Sequence, residues 1–263
     1  MKRSIGLLDS GVGGLTVLES IHRALPQEDI IYIGDQKHCP YGDKTQEQLF
    51  IYTSQIVSYF IQQNCKLIVH ACNTTSALVL PLLQRKYPSL PFIGVIHPTV
   101  ASFIQQKKKR VLVIATEKTI ASGIYERCIQ NQYPDCIIYS LATPLLVPLV
   151  EKGASSDTIL AVLHQYLDPF CNKIDAIILG CTHYPVLLAQ IQVVLPGILY
   201  VSSSEAMGIE VKQYLANHNL LNKNATGQLQ IYTTGSKQAF LHASSLFFDS
   251  TNYTIDTLAM LNM

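Results

Sequence analysis

Short apolar runs of strand length alternate along this chain with longer segments whose apolar residues recur at the helical period. Because the runs are apolar at successive positions, the predicted strands are buried on both faces, as in a parallel sheet covered by helices. The stretch from Leu15 to Leu25 carries one apolar stripe and predicts a helix that ends before Pro26. The pattern therefore predicts doubly wound α/β architecture. The predicted strands are Ile5 to Leu8, Ile30 to Ile33, Leu67 to Ala71, Phe92 to Ile96, Val111 to Ala115, Ile137 to Leu141, Ala176 to Leu179 and Ile198 to Val201.

The chain also repeats part of its own pattern. The segment IGLLDSGVGG…LESI has a faint echo in VLVIATEKTIASGIYERC, and LIVHACNTTSA is echoed by AIILGCTHYPV. The two echoes have nearly the same offset, because 107 positions separate Asp9 from Thr116 and 109 separate Cys72 from Cys181. We therefore predict two similar lobes, joined near residues 97–110, whose strand carboxyl ends surround one shared cleft.

Composition narrows the classes of function. The chain has 263 residues, a formal net charge of +1, 14% charged and 48% hydrophobic residues, and a mean hydropathy of +0.22. This excludes intrinsic disorder and gives no electrostatic basis for a nucleic-acid partner. The apolar stretches are too short for a signal peptide or a spanning helix, so we expect no membrane association. Seven scattered cysteines without a repeated CxxC favour the reducing cytoplasm over a disulfide framework.

Two cysteines occupy matching positions in the repeat. Cys72 and Cys181 each follow an apolar strand, at a point where a helix is predicted to begin, and a helix N-terminus can lower a thiol pKa. Disulfide exchange would favour a CxxC, and zinc would need more ligands, for which His70 and His183 are the nearby candidates. Proton transfer fits two facing thiols better, because inverting a stereocentre requires an acid and a base on opposite faces of one carbon.

The turn after the first strand offers polar groups to the same cleft. The sequence DSGVGG, residues 9–14, is glycine-rich but lacks the GxGxxG spacing, and an aspartate at its mouth would repel phosphate. We interpret Asp9 as a group that recognises an ammonium or accepts a proton. Ser10 and the exposed N–H groups of the turn are candidates for holding a carboxylate.

Two further segments contribute candidates. Pro40, Tyr41 and Gly42 form a predicted turn that can close over a small ligand. Glu151 follows an apolar helical stretch, and His183 lies two residues beyond Cys181. Each of these two side chains could polarise a thiol or hold a substrate amine.

Five motifs in order, LLDSGVGGLTVL, YIGD…CPYG, ACNTTSA, LVPLVEKG and LGCTHYP, span residues 4 to about 205. Together they resemble the glutamate racemases of the cofactor-independent aspartate/glutamate racemase superfamily. The resemblance implies one lobe of residues 1–97 plus 207–263 and a second of residues 98–206, with the active site between them. It also implies interconversion of L- and D-glutamate for peptidoglycan synthesis, without pyridoxal phosphate, metal or any other cofactor.

The resemblance further implies roles for single residues. Cys72 and Cys181 look like the catalytic acid/base pair, one for each face of the α-carbon. Asp9 resembles the assistant to the first cysteine, and Glu151 with His183 resembles the assistants to the second. The residues that match the family's substrate contacts are Asp9, Ser10, Pro40, Tyr41, Gly42, Asn73, Thr74, Thr116, Thr119, Thr182 and His183.

The chain departs from the family pattern at His38, where arginine or lysine is common, at His97, where glutamate is common, and at Ser202, where aspartate is common. These substitutions leave open a low-activity or regulatory protein on a racemase scaffold. An aspartate racemase, which needs a shorter pocket, is the neighbouring enzyme. A homodimer is compatible with the sequence.

Overall fold

A computed structural model describes residues 3–223, 226–247 and 254–258. The described strands form two sheets, and every neighbouring pair within each sheet is parallel. In chain order the strands are β1 (Ile5–Asp9), β2 (Ile30–Gly34), β3 (Leu67–His70), β4 (Phe92–Gly94), β5 (Arg110–Ala115), β6 (Ile137–Ala142), β7 (Ala176–Gly180), β8 (Leu199–Ser202), β9 (Leu229–Thr233) and β10 (Ile255–Thr257).

The strand order of the four-stranded second sheet recurs within the six-stranded first sheet. The first is arranged β10-β9-β2-β1-β3-β4 and the second β6-β5-β7-β8, so β1 to β4 correspond in order to β5 to β8. The chain therefore repeats in topology as its sequence predicts, and the α/β class with two parallel-sheet lobes is confirmed. In both lobes the chain leaves the central strand toward one neighbour and returns on its other side, which opens a crevice at the strand carboxyl ends.

Helices connect the strands and cover the sheets. The first ends at Ala24, with Leu25 as its C-cap, close to the boundary that the sequence predicts before Pro26. The helices are α1 (Leu15–Ala24), α2 (Gln46–Gln62), α3 (Asn73–Leu78), α4 (Leu80–Lys86), α5 (Ile96–Gln105), α6 (Glu117–Ala121), α7 (Ile124–Gln132), α8 (Leu146–Glu151), α9 (Ser156–Leu167), α10 (Leu188–Val194), α11 (Ser203–Asn217) and α12 (Lys237–Ser244).

One predicted strand is shorter than expected. The apolar run from Phe92 to Ile96 is a strand only as far as Gly94, and Ile96 is already the first residue of α5. The helix can begin there because Pro98 falls in its first turn, where the missing N–H has no intrahelical partner to lose. The apolar run thus divides between a buried strand and a buried helix start, which hydropathy alone does not separate.

A buried ion pair fixes the segment after α11 to the first lobe. Lys66 Nζ lies 2.5 Å from Glu28 Oε2, and both side chains are almost fully buried. The same ammonium donates to the Leu220 carbonyl at 2.6 Å and to Asn222 Oδ1 at 3.1 Å. The Asn222 N–H donates to Glu28 Oε1 at 2.7 Å. Both charges are therefore hydrogen-bonded, as burial requires.

Within the described part of the chain, no helix combines the length and the apolar character needed to cross a bilayer.

Candidate active site

A cavity of about 150 Å³ lies between the lobes at the carboxyl ends of their strands. A water molecule needs roughly 10–15 Å³ of such space, so the cavity suits a small molecule of about ten non-hydrogen atoms. Its walls come from Ser10, Cys39, Pro40, Tyr41, Gly42, Asp43, Cys72, Asn73, Thr74, Thr116, Glu117, Thr143, Pro144, Val147, Pro148, Cys181, Thr182 and His183.

Both predicted cysteines line this cavity. Cys72 is 5% exposed and precedes α3, whereas Cys181 is 7% exposed and follows β7. A helix begins directly after Cys72, as predicted, but the corresponding expectation for Cys181 is wrong. There the Tyr184 N–H donates to the Cys181 carbonyl in a turn, and a short 3₁₀ segment precedes α10. The buried Tyr184 hydroxyl, hydrogen-bonded to Thr143, fixes this turn in place of an immediate helix.

The Cys72 thiol is held protonated by its surroundings. Burial raises its pKa to about 12, and the negative charges of the nearby Asp9 carboxylate and of Cys181 act in the same direction. Asp9 is fully buried at the end of β1, and its Oδ2 accepts hydrogen bonds from the N–H groups of Gly11 at 3.2 Å and Gly14 at 3.0 Å. Burial raises the pKa of Asp9, although these bonds and the charge of His183 oppose the shift. Asp9 does not itself line the cavity, although its charge acts on Cys72.

The Cys181 side has a different charge balance. Its sulfur lies 3.9 Å from His183 Nδ1, and His183 Nε2 lies 3.0 Å from Glu151 Oε1. Burial alone would lower the pKa of His183, but Cys181 and Glu151 together raise it to about 10. Burial would raise the pKa of Glu151, but His183 and Cys39 hold it below its ordinary value. The raised pKa therefore favours the charged imidazolium form of His183 at neutral pH.

The glycine-rich turn of the first lobe lies against this imidazole. A Cβ atom at Gly13 would lie 2.5 Å from both His183 Nδ1 and Thr182 Oγ1, closer than any real Cβ contact. Across the same boundary, the Thr182 hydroxyl donates to Asp9 Oδ1 at 3.4 Å. Gly13 is thus required by the close approach of the two lobes.

We predict that Gly13→Ala lowers kcat/KM about 100-fold for the racemisation that the sequence resemblance implies, because an added methyl group must displace His183 and Thr182 by a substantial fraction of an ångström. The fold should survive, since the clash falls on side chains that border a cavity. Steady-state kinetics beside a thermal unfolding curve check this. Wild-type turnover in a folded Gly13→Ala protein would contradict the packing described above.

Three threonine hydroxyls join the lobes on the other side of the cavity. Thr74 Oγ1 lies 3.0 Å from Thr116 Oγ1, which lies 2.9 Å from Thr119 Oγ1. Thr119 is behind the other two and does not line the cavity. Beside them, Asn73 Oδ1 accepts a 2.6 Å hydrogen bond from Tyr125, whereas its buried Nδ2 has no partner among the described residues. This wall therefore combines two adaptable hydroxyls with a buried amide whose hydrogen-bonding capacity is unused among the described residues.

The predicted turn at residues 40–42 forms the outer wall. The Tyr41 hydroxyl donates to Asp35 Oδ2 at 2.5 Å, and the buried Asp35 also lies 2.8 Å from His38 Nδ1. The His38 ring stacks on Tyr52 with centroids 3.8 Å apart. His38 thus supports the turn from outside the cavity.

The other two departures from the family pattern also lie outside the cavity lining. His97 is exposed on α5, with its Nδ1 3.7 Å from the Cys128 sulfur. Ser202, the last residue of β8, shares a 2.9 Å hydroxyl contact with Ser204. Neither substitution changes a group that faces the cavity.

Several contributors were not singled out from the sequence. Thr143 and Val147 line the cavity after β6, and Phe247 packs its ring edge-on to His183 at 5.3 Å between centroids. Tyr125 makes the contact with Asn73 already given, and the Cys39 thiol donates to Glu151 Oε1. Among these residues, the internal repeat gives a signal for Thr143 alone. Thr143 directly follows β6, and Asp35 directly follows β2, the corresponding strand of the first sheet.

The groups that a metal would need are not clustered here. Within residues 3–223, 226–247 and 254–258, no group of three or more His, Cys, Asp or Glu side chains could hold a metal ion. All seven cysteines are free thiols.

Comparisons with known proteins agree with this geometry. Residues 5–207 match the model of the Asp/Glu/Hydantoin racemase family. The chain is 38% identical to the glutamate racemase of Oceanobacillus iheyensis over 269 aligned positions, covering 100% of this chain and 98% of that protein.

Two solved structures are similar throughout. Glutamate racemase isoform RacE1 from Bacillus anthracis superimposes with a TM-score of 0.90 at 37% identity, covering 97% of this chain and 96% of that one. Glutamate racemase from Francisella tularensis, solved in complex with D-glutamate, gives a TM-score of 0.92 at 32% identity, covering 100% and 99%. The chain therefore belongs to the Asp/Glu/hydantoin racemase family, and it is an amino-acid racemase, an isomerase.

Proposed function

We propose that this racemase interconverts L- and D-glutamate by proton transfer to and from two cysteines, Cys72 and Cys181. The observation that carries the proposal is the placement of both thiols on one small cavity between corresponding strand ends. The relatives named above are glutamate racemases, which supports glutamate over other amino acids.

In the proposed reaction the α-carbon lies between the two sulfurs. The thiolate on one face removes the α-proton and becomes a thiol, and the thiol on the opposite face then gives its proton to the carbanion and becomes a thiolate. The configuration is inverted with no net change in atoms or electrons. The next turnover in the same direction requires the two protonation states to be exchanged back through solvent.

The two thiols are prepared differently for these roles. The high pKa of Cys72 favours its thiol form, whereas Cys181 lies beside the imidazolium of His183, with its sulfur 3.9 Å from Nδ1. Asp9 assists proton movement at Cys72, and Glu151 keeps His183 charged. The two thiols therefore differ in the charged groups that surround them.

The remaining cavity groups hold the substrate in this proposal. Hydrogen-bond donors suit its two carboxylates, and one candidate is the Asn73 amide, whose buried Nδ2 has no partner among the described residues. Preorganised donors around the α-carboxylate also stabilise the carbanion, which is the main energetic obstacle. The proposed direct contacts are Ser10, Pro40, Tyr41, Gly42, Asn73, Thr74, Thr116, Thr182 and His183. Asp9 and Thr119, which do not line the cavity, are proposed to act through Thr182 and Thr116, to which they are hydrogen-bonded.

We further propose that the product D-glutamate serves peptidoglycan synthesis in the cytoplasm and that the reaction needs no added cofactor. Seven free thiols suit that compartment.

Exchange of the α-proton with solvent tests the proposal directly. Purified protein in D₂O, without added cofactor, should incorporate deuterium at the α-carbon of both glutamate enantiomers and convert each into the other. Aspartate should react at least about 100-fold more slowly, because its shorter chain cannot reach the same donors. Tight glutamate binding without exchange would favour the regulatory alternative instead, and faster turnover of aspartate would favour an aspartate racemase.

The pKa of His183 gives a prediction for pH dependence. Because its pKa is raised to about 10, the imidazolium persists through neutral pH and loses its proton only above that value. We expect kcat/KM to fall above about pH 10, and Glu151→Gln to move this fall to lower pH by removing the carboxylate that stabilises the charge. A basic limb near pH 6.5, the ordinary range of histidine, would contradict the assignment.

A further inference from the structure

A third sulfur lines the cavity beside the two proposed catalytic thiols. Cys39 lies in the loop between β2 and the turn at Tyr41, and its thiol donates to Glu151 Oε1 at 3.4 Å. Cys39 belongs to the loop that follows β2 of the first sheet, whereas Glu151 ends α8, which follows β6 of the second. The contact therefore crosses between the lobes.

The thiol of Cys39 is suited to donate and unsuited to carry protons. Burial, the adjoining Glu151 carboxylate and the charges of Asp9 and Cys72 all raise its pKa far above the ordinary range. These groups and His183, which shares Glu151, are the titratable side chains that face this contact. Cys39 thus stays a neutral hydrogen-bond donor at working pH.

One carboxylate oxygen serves two partners. Glu151 Oε1 receives the His183 Nε2 contact at 3.0 Å and the Cys39 thiol at 3.4 Å. The Glu151 side chain is 23% exposed, so without a second donor it can rotate toward solvent. A donor from the opposite lobe limits that rotation and keeps the carboxylate in line with the imidazole.

Cys39 is itself firmly placed. Its sulfur would lie 3.5 Å from a Cβ atom at Gly11, so the thiol packs against the glycine-rich turn. On the other side of the loop, Asp35 fixes Tyr41 and His38 through the hydrogen bonds given above. Because residues of the first lobe fix the position of the Cys39 thiol, its hydrogen bond can restrain the Glu151 carboxylate.

We propose that Cys39 is a positioning residue, supplied by the first lobe, which holds the Glu151 carboxylate against His183 and so supports proton transfer at Cys181 but not at Cys72. This inference rests on the proposed two-thiol reaction.

Substrate isotope effects distinguish the two faces. Because the equilibrium constant between enantiomers is one, kcat/KM must fall equally in both directions, roughly three- to tenfold in Cys39→Ala. With α-deuterated glutamate in H₂O, however, only removal of the α-hydrogen is isotope-sensitive. Slower transfer at Cys181 should raise the isotope effect for the enantiomer that Cys181 deprotonates and lower it for the other.

Two variants complete the kinetic design. Cys39→Ser retains a donor and should restore both isotope effects toward wild type. Cys171→Ala is the matched control, because Cys171 is also a half-buried thiol with one weak hydrogen bond, to the Val194 carbonyl at 3.6 Å, but lies outside the cavity. Isotope effects that stay equal in Cys39→Ala, or a loss that serine does not rescue, would overturn the proposal.

A measurement without turnover separates this inference from the proposed function. The ¹⁵N resonances of the His183 imidazole, assigned with His183→Gln, should shift in Cys39→Ala at neutral pH, return in Cys39→Ser and stay fixed in Cys171→Ala. Unchanged imidazole resonances in Cys39→Ala would refute the positioning role. If the shift occurs while wild-type protein exchanges no α-proton of glutamate, the proposed reaction fails and the contact between Cys39 and the Glu151–His183 pair stands.

Discussion

Replacing either Cys72 or Cys181 by alanine is expected to lower racemisation of glutamate at least about 1,000-fold. Each thiol is the proposed proton carrier on its own face of the substrate, and no other group in the cavity can replace it there. Polarimetry of both enantiomers measures the loss. Because each change removes only one sulfur at the edge of a cavity, the unfolding temperature should change little.

The matched control for Cys72→Ala is Cys65→Ala. Cys65 is 2% exposed, and burial raises its pKa to about 12, as for Cys72, but it lies outside the cavity. Cys65→Ala should therefore racemise like wild type. Full activity in folded Cys72→Ala or Cys181→Ala protein would refute the two-thiol reaction, whatever the outcome for the control.

The largest loss of stability is expected from Lys66→Met. Removing the ammonium leaves the fully buried Glu28 carboxylate without its counter-ion, and it also frees the Leu220 carbonyl. Breaking such a buried pair costs about 3–5 kcal/mol in the free energy of unfolding. In a chain of this size, that corresponds to a fall of roughly 10 °C in the unfolding temperature.

Two further variants test the cause of that loss. Lys237→Met breaks an ion pair between Lys237 and Asp256, whose side chains are 47% and 63% exposed, respectively. This change should lower the free energy of unfolding by less than about 1 kcal/mol. The double change Glu28→Leu with Lys66→Met removes both charges and should recover part of the stability lost in the single variant. Equal losses in Lys66→Met and Lys237→Met would contradict the burial of the first pair.

The sequence predicted the strands that have continuous apolar runs, including the edge strands β6 and β8, and missed β9 and β10, which lack such runs. The run Ile30 to Ile33 appears as β2, Ile30–Gly34, because a strand buried on both faces must be apolar at every position. In contrast, β9 was not predicted, since its sequence LQIYT is only partly buried near the sheet edge and lacks a continuous apolar run. Partly buried strands of this kind share their pattern with half-exposed loops, so periodicity alone does not identify them.

The same distinction holds within the site. The internal repeat pointed to Cys72 and Cys181, because corresponding strands in corresponding lobes must end at one cleft. Contacts between distant parts of the chain could not be predicted from the internal repeat or from the hydrophobic periodicity. Cys39 and Glu151 are 112 positions apart, and which thiol meets which carboxylate depends on how the lobes approach each other. Such pairings arise from tertiary packing, and they leave no periodic pattern in the local sequence from which they could be predicted.

The hydroxyls of Thr74, Thr116 and Thr119 have a kinetic consequence. In each contact among them either oxygen can be the donor, so their hydrogens can be redirected by rotation about single C–O bonds. An incoming anion would find donors after a reorientation on the picosecond to nanosecond scale, with no main-chain rearrangement on that wall. We therefore expect ligand capture there to lack a slow step, so that any lag in binding must originate elsewhere in the protein.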